Sequence, residues 1–326
     1  MNVKIIKNLK GGSLSKTIII KKNRKKFVRK LIHIENNREF GFYRWLSQFK
    51  KLQRLNKIFP KLFPKVMSSG IFQNYYYFDI EFFVGSKNCY EYFCKEKNIK
   101  NISFVFEKII KNLKKVNDLK YPAVLGSQNI YFKEEIKRRI KLFKDDENGK
   151  KFLKYTHYKL NGEIIKNSIN KLILWLDNNN LDFNAINECH THGNITLENI
   201  LYIPNSKRII FIDPYEENFV DSSHQEISQL LQSSNSHYEL MCNAKLKIKQ
   251  NSLNAEYTLP IGIENFNKNL NKYINTNFST NEKKIIKFYE MAQFIRMLPF
   301  KLKNEPERAK LFFIVAIRIF NDEINE

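Results

Sequence analysis

The side chains of this chain best spaced for chemistry lie in one loop and at the end of the strand-like run after it. The loop reads His192-Gly193-Asn194-Ile195-Thr196-Leu197-Glu198-Asn199, and the apolar run Ile209-Ile210-Phe211-Ile212 ends in Asp213-Pro214. This spacing lets a loop present one residue to an acceptor hydroxyl and a later amide to a metal. The next strand can then return a carboxylate beside bound phosphates. Between His192 and Asn199 stands Asn194. Its amide oxygen can accept a hydrogen bond, but it cannot take a proton.

A scaffold must bring these groups together, and the chain reads as two kinds of segment. Residues 3–10 are β-prone, Gly11-Gly12-Ser13 interrupts them, and residues 16–22 resume with Thr-Ile-Ile-Ile, which predicts a hairpin with a glycine-rich tip. A basic turn at Asn23-Arg24 leads to a third strand over 27–32. A helix follows, with Phe40, Tyr43, Leu46 and Phe49 at helical spacing around Glu39. Beyond Pro64, residues 65–67 and 75–83 read as two more strands, and Gly85 marks a break. From there the pattern is helical over 103–117, 132–143 and 162–178, with three further helices after the motif. Ser223-x-x-Glu226 reads as a capping box, with Ile227, Leu230 and Leu231 on one face, and Pro306 suits the first turn of the last helix. The fold class expected is α+β. Residues 1–84 form a small β-rich lobe with one helix, and residues 85–326 form a larger helical lobe.

The formal net charge is +23. A basic excess of this size raises nucleic acid, anionic membranes and polyphosphates as partners. The lysines are scattered, however, and they outnumber the arginines, which are preferred for planar phosphate recognition. With Asn, Ile, Phe and Tyr also abundant, the charge reads first as compositional bias, with a functional basic surface as the alternative, and nucleic acid is not the expected partner. Cys89, Cys94, Cys189 and Cys242 form no C-x-x-C pair and no disulfide framework. Cys189-His190-x-His192 lacks the second pair of ligands that a zinc site requires. No signal-peptide core or membrane-length apolar run is visible, so the expectation is a soluble, cytoplasmic protein.

Taken together, these segments resemble the aminoglycoside phosphotransferase and choline kinase group, the small-molecule branch of the protein-kinase-like fold. They are more similar still to the phosphotransferases found with bacterial capsule and surface-polysaccharide genes. The likeness spans nearly the whole chain. It is carried by Gly11-Gly12-Ser13, Phe27-Val28-Arg29-Lys30, the run from Tyr75 to Glu81, the loop from His192 to Tyr202, Ile212-Asp213-Pro214 and Glu226-Ile-Ser-Gln-Leu-Leu-Gln-Ser.

The resemblance implies a bilobal kinase-like fold that binds ATP (or GTP) with Mg²⁺ and transfers phosphate to a small, sugar-like acceptor. Gly11, Gly12 and Ser13 would cover the phosphates, and Lys30 would contact them while pairing with Glu39. Residues 81–83, with Glu81 and Phe83 at their ends, would form the hinge whose backbone meets the base. Asn199 and Asp213 would hold Mg²⁺, a hard cation bound through few protein oxygens plus phosphates. His192 would orient the catalytic loop. The pattern carries Asp where this chain has Asn194. Three readings follow: a working phosphotransferase in which Asn194 orients the acceptor, a nucleotide-binding pseudokinase, or a basic binding module on the same scaffold.

Overall fold

A computed structural model describes residues 3–9, 15–35, 41–120, 131–178, 181, 183, 186–215 and 221–324. The chain forms two compact units. The first comprises Met1–Tyr92, Lys108–Val116 and His192–Asn218; the second comprises Phe93–Glu107, Asn117–Thr191 and Phe219–Glu326. The first unit therefore joins the N-terminal segment to the loop and strand that carry the motif.

The first unit is built on an antiparallel sheet of β1 (Lys4–Leu9), β2 (Lys16–Lys22), β3 (Lys25–His33), β4 (Val66–Phe72) and β5 (Tyr75–Glu81), ordered β1-β2-β3-β5-β4. The two-residue turn between β2 and β3 places both Asn23 and Arg24 at positive φ, the geometry that matches the twist of a tight hairpin. Side chains alternate across the sheet, so Arg29 and Lys30 face opposite ways. Helix α1 (Tyr43–Ile58) packs on the face that carries Phe78, whose ring lies 5.2 Å from Trp45 and 5.3 Å from Phe49. Its buried stripe runs through Trp45, Lys51, Leu52 and Leu55. Tyr43, expected on the apolar face, is exposed, and Phe40 lies outside the described residues.

The same unit holds an antiparallel hairpin of Ile200–Ile203 with Arg208–Phe211, in register Ile200↔Phe211 through Ile203↔Arg208. Lys207 takes the left-handed conformation at its turn.

In the second unit the helices Thr280–Asn304 and Pro306–Ile319 supply much of an apolar core, together with Phe143, Phe152, Tyr158 and Leu172. Pro306 does sit in the first turn of its helix. Three expectations are corrected here. Residues 162–178 are not one helix: Glu163–Lys166 is a strand, and the helix is Ile169–Asp177. Asn161 and Gly162, both at positive φ, make a tight hairpin back to the strand His157–Leu160. This Asn-Gly pair is a strong hairpin signal, and it outweighs the apolar pattern that suggested a helix. A four-stranded sheet results, with Ser252–Glu256 pairing parallel to His157–Leu160 and Lys245–Lys249 at the edge.

Second, the described residues after the motif form five α-helices rather than three, the additional ones being short or separated by a proline or a capped turn. Third, the helix Ser223–Ser234 is capped by Ser222, whose side chain accepts from the Gln225 N–H, so Glu226 is not a capping-box partner. Glu226 is instead buried. The capping box of this unit is Ser279 with Glu282. Among the described residues no helix is long and apolar enough to cross a membrane.

Candidate active site

Hydrogen bonds tie the loop from His192 to Asn199 together and to the segment around Asp213. His192 Nε2 donates to the Ile212 carbonyl at 2.6 Å, and its Nδ1 accepts from the Asn194 N–H at 3.2 Å. The His192 carbonyl accepts from the Tyr215 N–H at 2.8 Å, and the Asn199 carbonyl accepts from the Ile212 N–H at 2.9 Å. The side-chain nitrogen of Asn199 donates to the Asn194 carbonyl at 2.8 Å. Gly193, at φ +85°, permits the sharp bend after the histidine.

His192 is fully buried between Phe63 and Phe211, with ring centroids 6.2 and 6.1 Å away. Burial pushes its pKa down to about 3, with Lys51 adding to the depression. Both ring nitrogens are occupied by backbone partners, so the imidazole is a neutral brace and not a proton acceptor. The same occupancy rules it out as a metal ligand.

Asp213 lies two residues beyond the strand Arg208–Phe211 and adopts φ +60°, which few residues other than glycine, Asn and Asp tolerate. Lys30, on β3, is 5% exposed, and its ammonium meets Asp213 Oδ1 at 2.6 Å and Gln48 Oε1 at 2.9 Å. The sheet therefore brings Lys30 to the end of the loop hairpin. Because the nitrogen of Asn199 is committed to Asn194, its amide oxygen is the atom left to act as a ligand. One amide oxygen and one carboxylate suit Mg²⁺, which keeps water or phosphate in its remaining positions.

Glu81 and Phe83 sit at the end of β5 and just beyond it. Register pairs Phe27 with Glu81 and Arg29 with Asp79, so the Glu81 side chain lies on the face opposite Lys30. Its N–H donates to the Lys65 carbonyl at 3.0 Å. Phe83 is buried against Ile203 and Ile210, beside Leu201 and Ile212, and its carbonyl accepts from the Ser86 hydroxyl at 2.9 Å. These contacts join the segment to the loop hairpin through an apolar cluster. Gly11, Gly12, Ser13 and Glu39 lie outside the described residues.

Sequence reasoning missed Gln48, Lys51 and the pair Arg29–Asp79. Lys51, buried one helical turn after Gln48, donates to the Tyr215 carbonyl at 2.5 Å. Arg29 pairs with Asp79 through Nε–Oδ1 at 2.6 Å and Nη2–Oδ2 at 2.8 Å, with the Ser68 hydroxyl on Oδ2 at 2.8 Å. The Arg29 guanidinium also stacks 3.9 Å from the Tyr77 ring centre. The available signal was polar residues interrupting apolar stripes: Gln48 and Lys51 in a helix, Arg29 and Asp79 in strands.

No family model matches the sequence. A search of curated proteins finds no match either. Solved structures do match. Aminoglycoside phosphotransferase APH(4)-Ia aligns over 98% of this chain and 94% of its own, with TM-score 0.53 at 9% identity. Spectinomycin phosphotransferase APH(9)-Ia, solved in complex with ADP and spectinomycin, aligns over 98% and 92%, with TM-score 0.50 at 12% identity. The chain thus has the α+β, protein-kinase-like fold of the aminoglycoside phosphotransferases.

Proposed function

We propose that this chain is a cytoplasmic ATP- (or GTP-) dependent phosphotransferase. It would move the γ-phosphoryl group to a hydroxyl of a small molecule, a sugar or sugar derivative of surface-polysaccharide metabolism. The observation that carries the reading is the meeting of Lys30 and Asp213 at 2.6 Å, beside a loop whose Asn199 is fixed by Asn194. A buried lysine, a carboxylate and an oriented amide are the groups a polyphosphate and its cation require. The fold shared with a structure holding ADP and spectinomycin supports nucleotide as donor and a small polar molecule as acceptor.

In this reading residues 1–84 act as the nucleotide-binding lobe and residues 85–326 as the acceptor lobe. Lys30 binds the α/β-phosphates, Gly11, Gly12 and Ser13 cover them, and the backbone of residues 81–83 meets the base. Asn199 and Asp213 hold Mg²⁺, which supplies charge neutralisation at the phosphates when bound. His192 keeps the loop against the Asp213 segment. Asn194 accepts a hydrogen bond from the acceptor hydroxyl and orients it. The absence of a carboxylate there slows the reaction, general-base catalysis being worth ~10²–10⁴-fold. It does not abolish the reaction, because a loose phosphoryl transition state depends mainly on positioning and charge.

Asn194 also favours one second reading, a nucleotide-binding pseudokinase. Thermal unfolding with Mg·ATP, Mg·GTP and a panel of sugars tests both. A nucleotide at 100 times its Kd stabilises by about 2.7 kcal/mol. Stabilisation with phosphate transfer to a sugar fits the enzyme, and stabilisation without transfer to any acceptor fits the pseudokinase. No stabilisation by any nucleotide would sink both.

A further inference from the structure

Lys30 is a buried ammonium held by one neutral group and one charged group. Among the described residues its partners are the Gln48 amide oxygen at 2.9 Å and the Asp213 carboxylate at 2.6 Å. A buried ammonium must be both solvated and neutralised. Gln48 solvates it without neutralising it, so among the described residues the carboxylate that balances Lys30 is Asp213, the one assigned above to the metal. Helix α1 sets this arrangement from two positions one turn apart. Gln48 holds Lys30, while Lys51 holds the Tyr215 carbonyl, two residues beyond Asp213.

We infer that Gln48 makes nucleotide and magnesium load as a coupled unit, an inference that rests on the phosphotransferase reading. With the site empty, Lys30 competes with a dication for Asp213, and two cations at one carboxylate repel strongly in a poorly screened site. Anionic phosphates relieve that competition by taking over Lys30, which frees Asp213 for the metal. Magnesium alone therefore binds poorly, and nucleotide raises its affinity. By linkage the metal raises nucleotide affinity by the same factor. A glutamate at position 48 would remove the device, because Lys30 would be neutralised from α1 and Asp213 would stand free. Gln48 is a positioning residue in this scheme and touches neither substrate.

The experiment measures binding by the full chain of three ligands: Mg²⁺ alone, ADP alone in EDTA, and both together. Calorimetry reports ADP, and free Mn²⁺ by electron paramagnetic resonance serves as the magnesium stand-in. In the wild type the coupling factor should lie in the usual range of ~5–150-fold. Gln48→Glu should tighten metal binding in the absence of nucleotide by about fivefold or more and reduce the coupling by a similar factor. Wild-type coupling in a folded Gln48→Glu chain overturns the inference. Lys30→Met gives an independent measurement should Gln48→Glu not fold. Removing the competing ammonium should also tighten binding of the metal alone, and unchanged affinity there overturns the inference as well. A wild-type chain that binds no ADP would instead defeat the phosphotransferase reading, and the metal-alone comparison of wild type with Lys30→Met would still decide whether Lys30 masks Asp213.

Discussion

Two neighbouring residues of β3, Arg29 and Lys30, each pair with an aspartate, and the two pairs differ in almost every physical respect. Arg29–Asp79 is sealed, with side chains 4% and 2% exposed, bidentate, capped by Ser68 and covered by Tyr77. Lys30–Asp213 is single-pronged, and Asp213 is 33% exposed. The first pair satisfies its charges within one sheet and has no spare valence for a ligand. The second joins a strand to a loop hairpin and leaves carboxylate lone pairs accessible. Arginine's planar fork suits permanent bidentate pairing, whereas a lysine is a point charge that can exchange one anion for another. A buried ion pair contributes specificity of register more readily than net stability. Here a one-residue slip of β3 would put Arg29 on the α1 face and Lys30 against Asp79.

The sharpest way to break the comparison is to remove one aspartate at a time. Asp79→Ala strands a buried guanidinium and should cost ~3–5 kcal/mol in urea unfolding, while Arg29→Met combined with Asp79→Leu should recover most of the loss. Asp213→Ala also leaves a buried ammonium without its carboxylate, but water can reach the place of the one-third exposed Asp213 and Gln48 still holds Lys30, so the ligand-free cost should be smaller, ~1–3 kcal/mol. It should nevertheless abolish the magnesium-dependent part of the nucleotide stabilisation, whose total is about 2.7 kcal/mol at 100 times Kd. Equal destabilisation by the two substitutions would show that the pairs do not divide as described.

Adding a charge sharpens the contrast further. Asn194→Asp introduces a carboxylate whose backbone is already tied to His192 and Asn199. If Asn194 only orients the acceptor, turnover should rise, by up to the ~10²–10⁴-fold typical of general-base catalysis. Undetectable transfer in both forms, despite nucleotide binding, would favour the pseudokinase.

The smallest expected effect concerns pH. Above pH 6.5 His192 is neutral in both folded and unfolded chains. Below that, the unfolded chain gains a proton that the folded chain refuses until about pH 3, so stability falls as pH drops through this window. The loss from this group should be about 1 kcal/mol between pH 6.5 and 5.5. Chemical denaturation across that range, compared with His192→Gln, isolates it from the other buried histidines, and an identical slope in the variant would refute the brace.

Much of the candidate site's geometry was legible because it is local in sequence. His192, Asn194, Asn199 and Asp213 lie within one loop and one hairpin, and their spacing alone predicts that they converge. The β2–β3 hairpin that carries Lys30 was legible for the same reason, since a tight turn at Asn23-Arg24 joins the two strands, whereas the pairing of β3 with β5 is not sequential. The Asn161-Gly162 hairpin is equally local, but the apolar residues after it suit a helical period as well as an alternating one, and the chain uses both, a strand and then a helix. Other features depend on residues far apart. Nothing in Arg29-Lys30 states which cation faces α1; Asp79, fifty residues away, decides it by fixing the register of β3 on β5. Nothing in α1 marks Gln48 as the partner of Lys30, because that contact exists only once Trp45 and Phe49 have seated the helix on Phe78. Likewise, the parallel pairing of Ser252 and Leu253 with Lys159 and Leu160 has no local signal. Propensity and spacing act over a few residues, so the sequence by itself determined the motif and the hairpins. Register, helix docking and the pairing of Lys30 with Asp213 are long-range packing outcomes, and only the tertiary structure decided them.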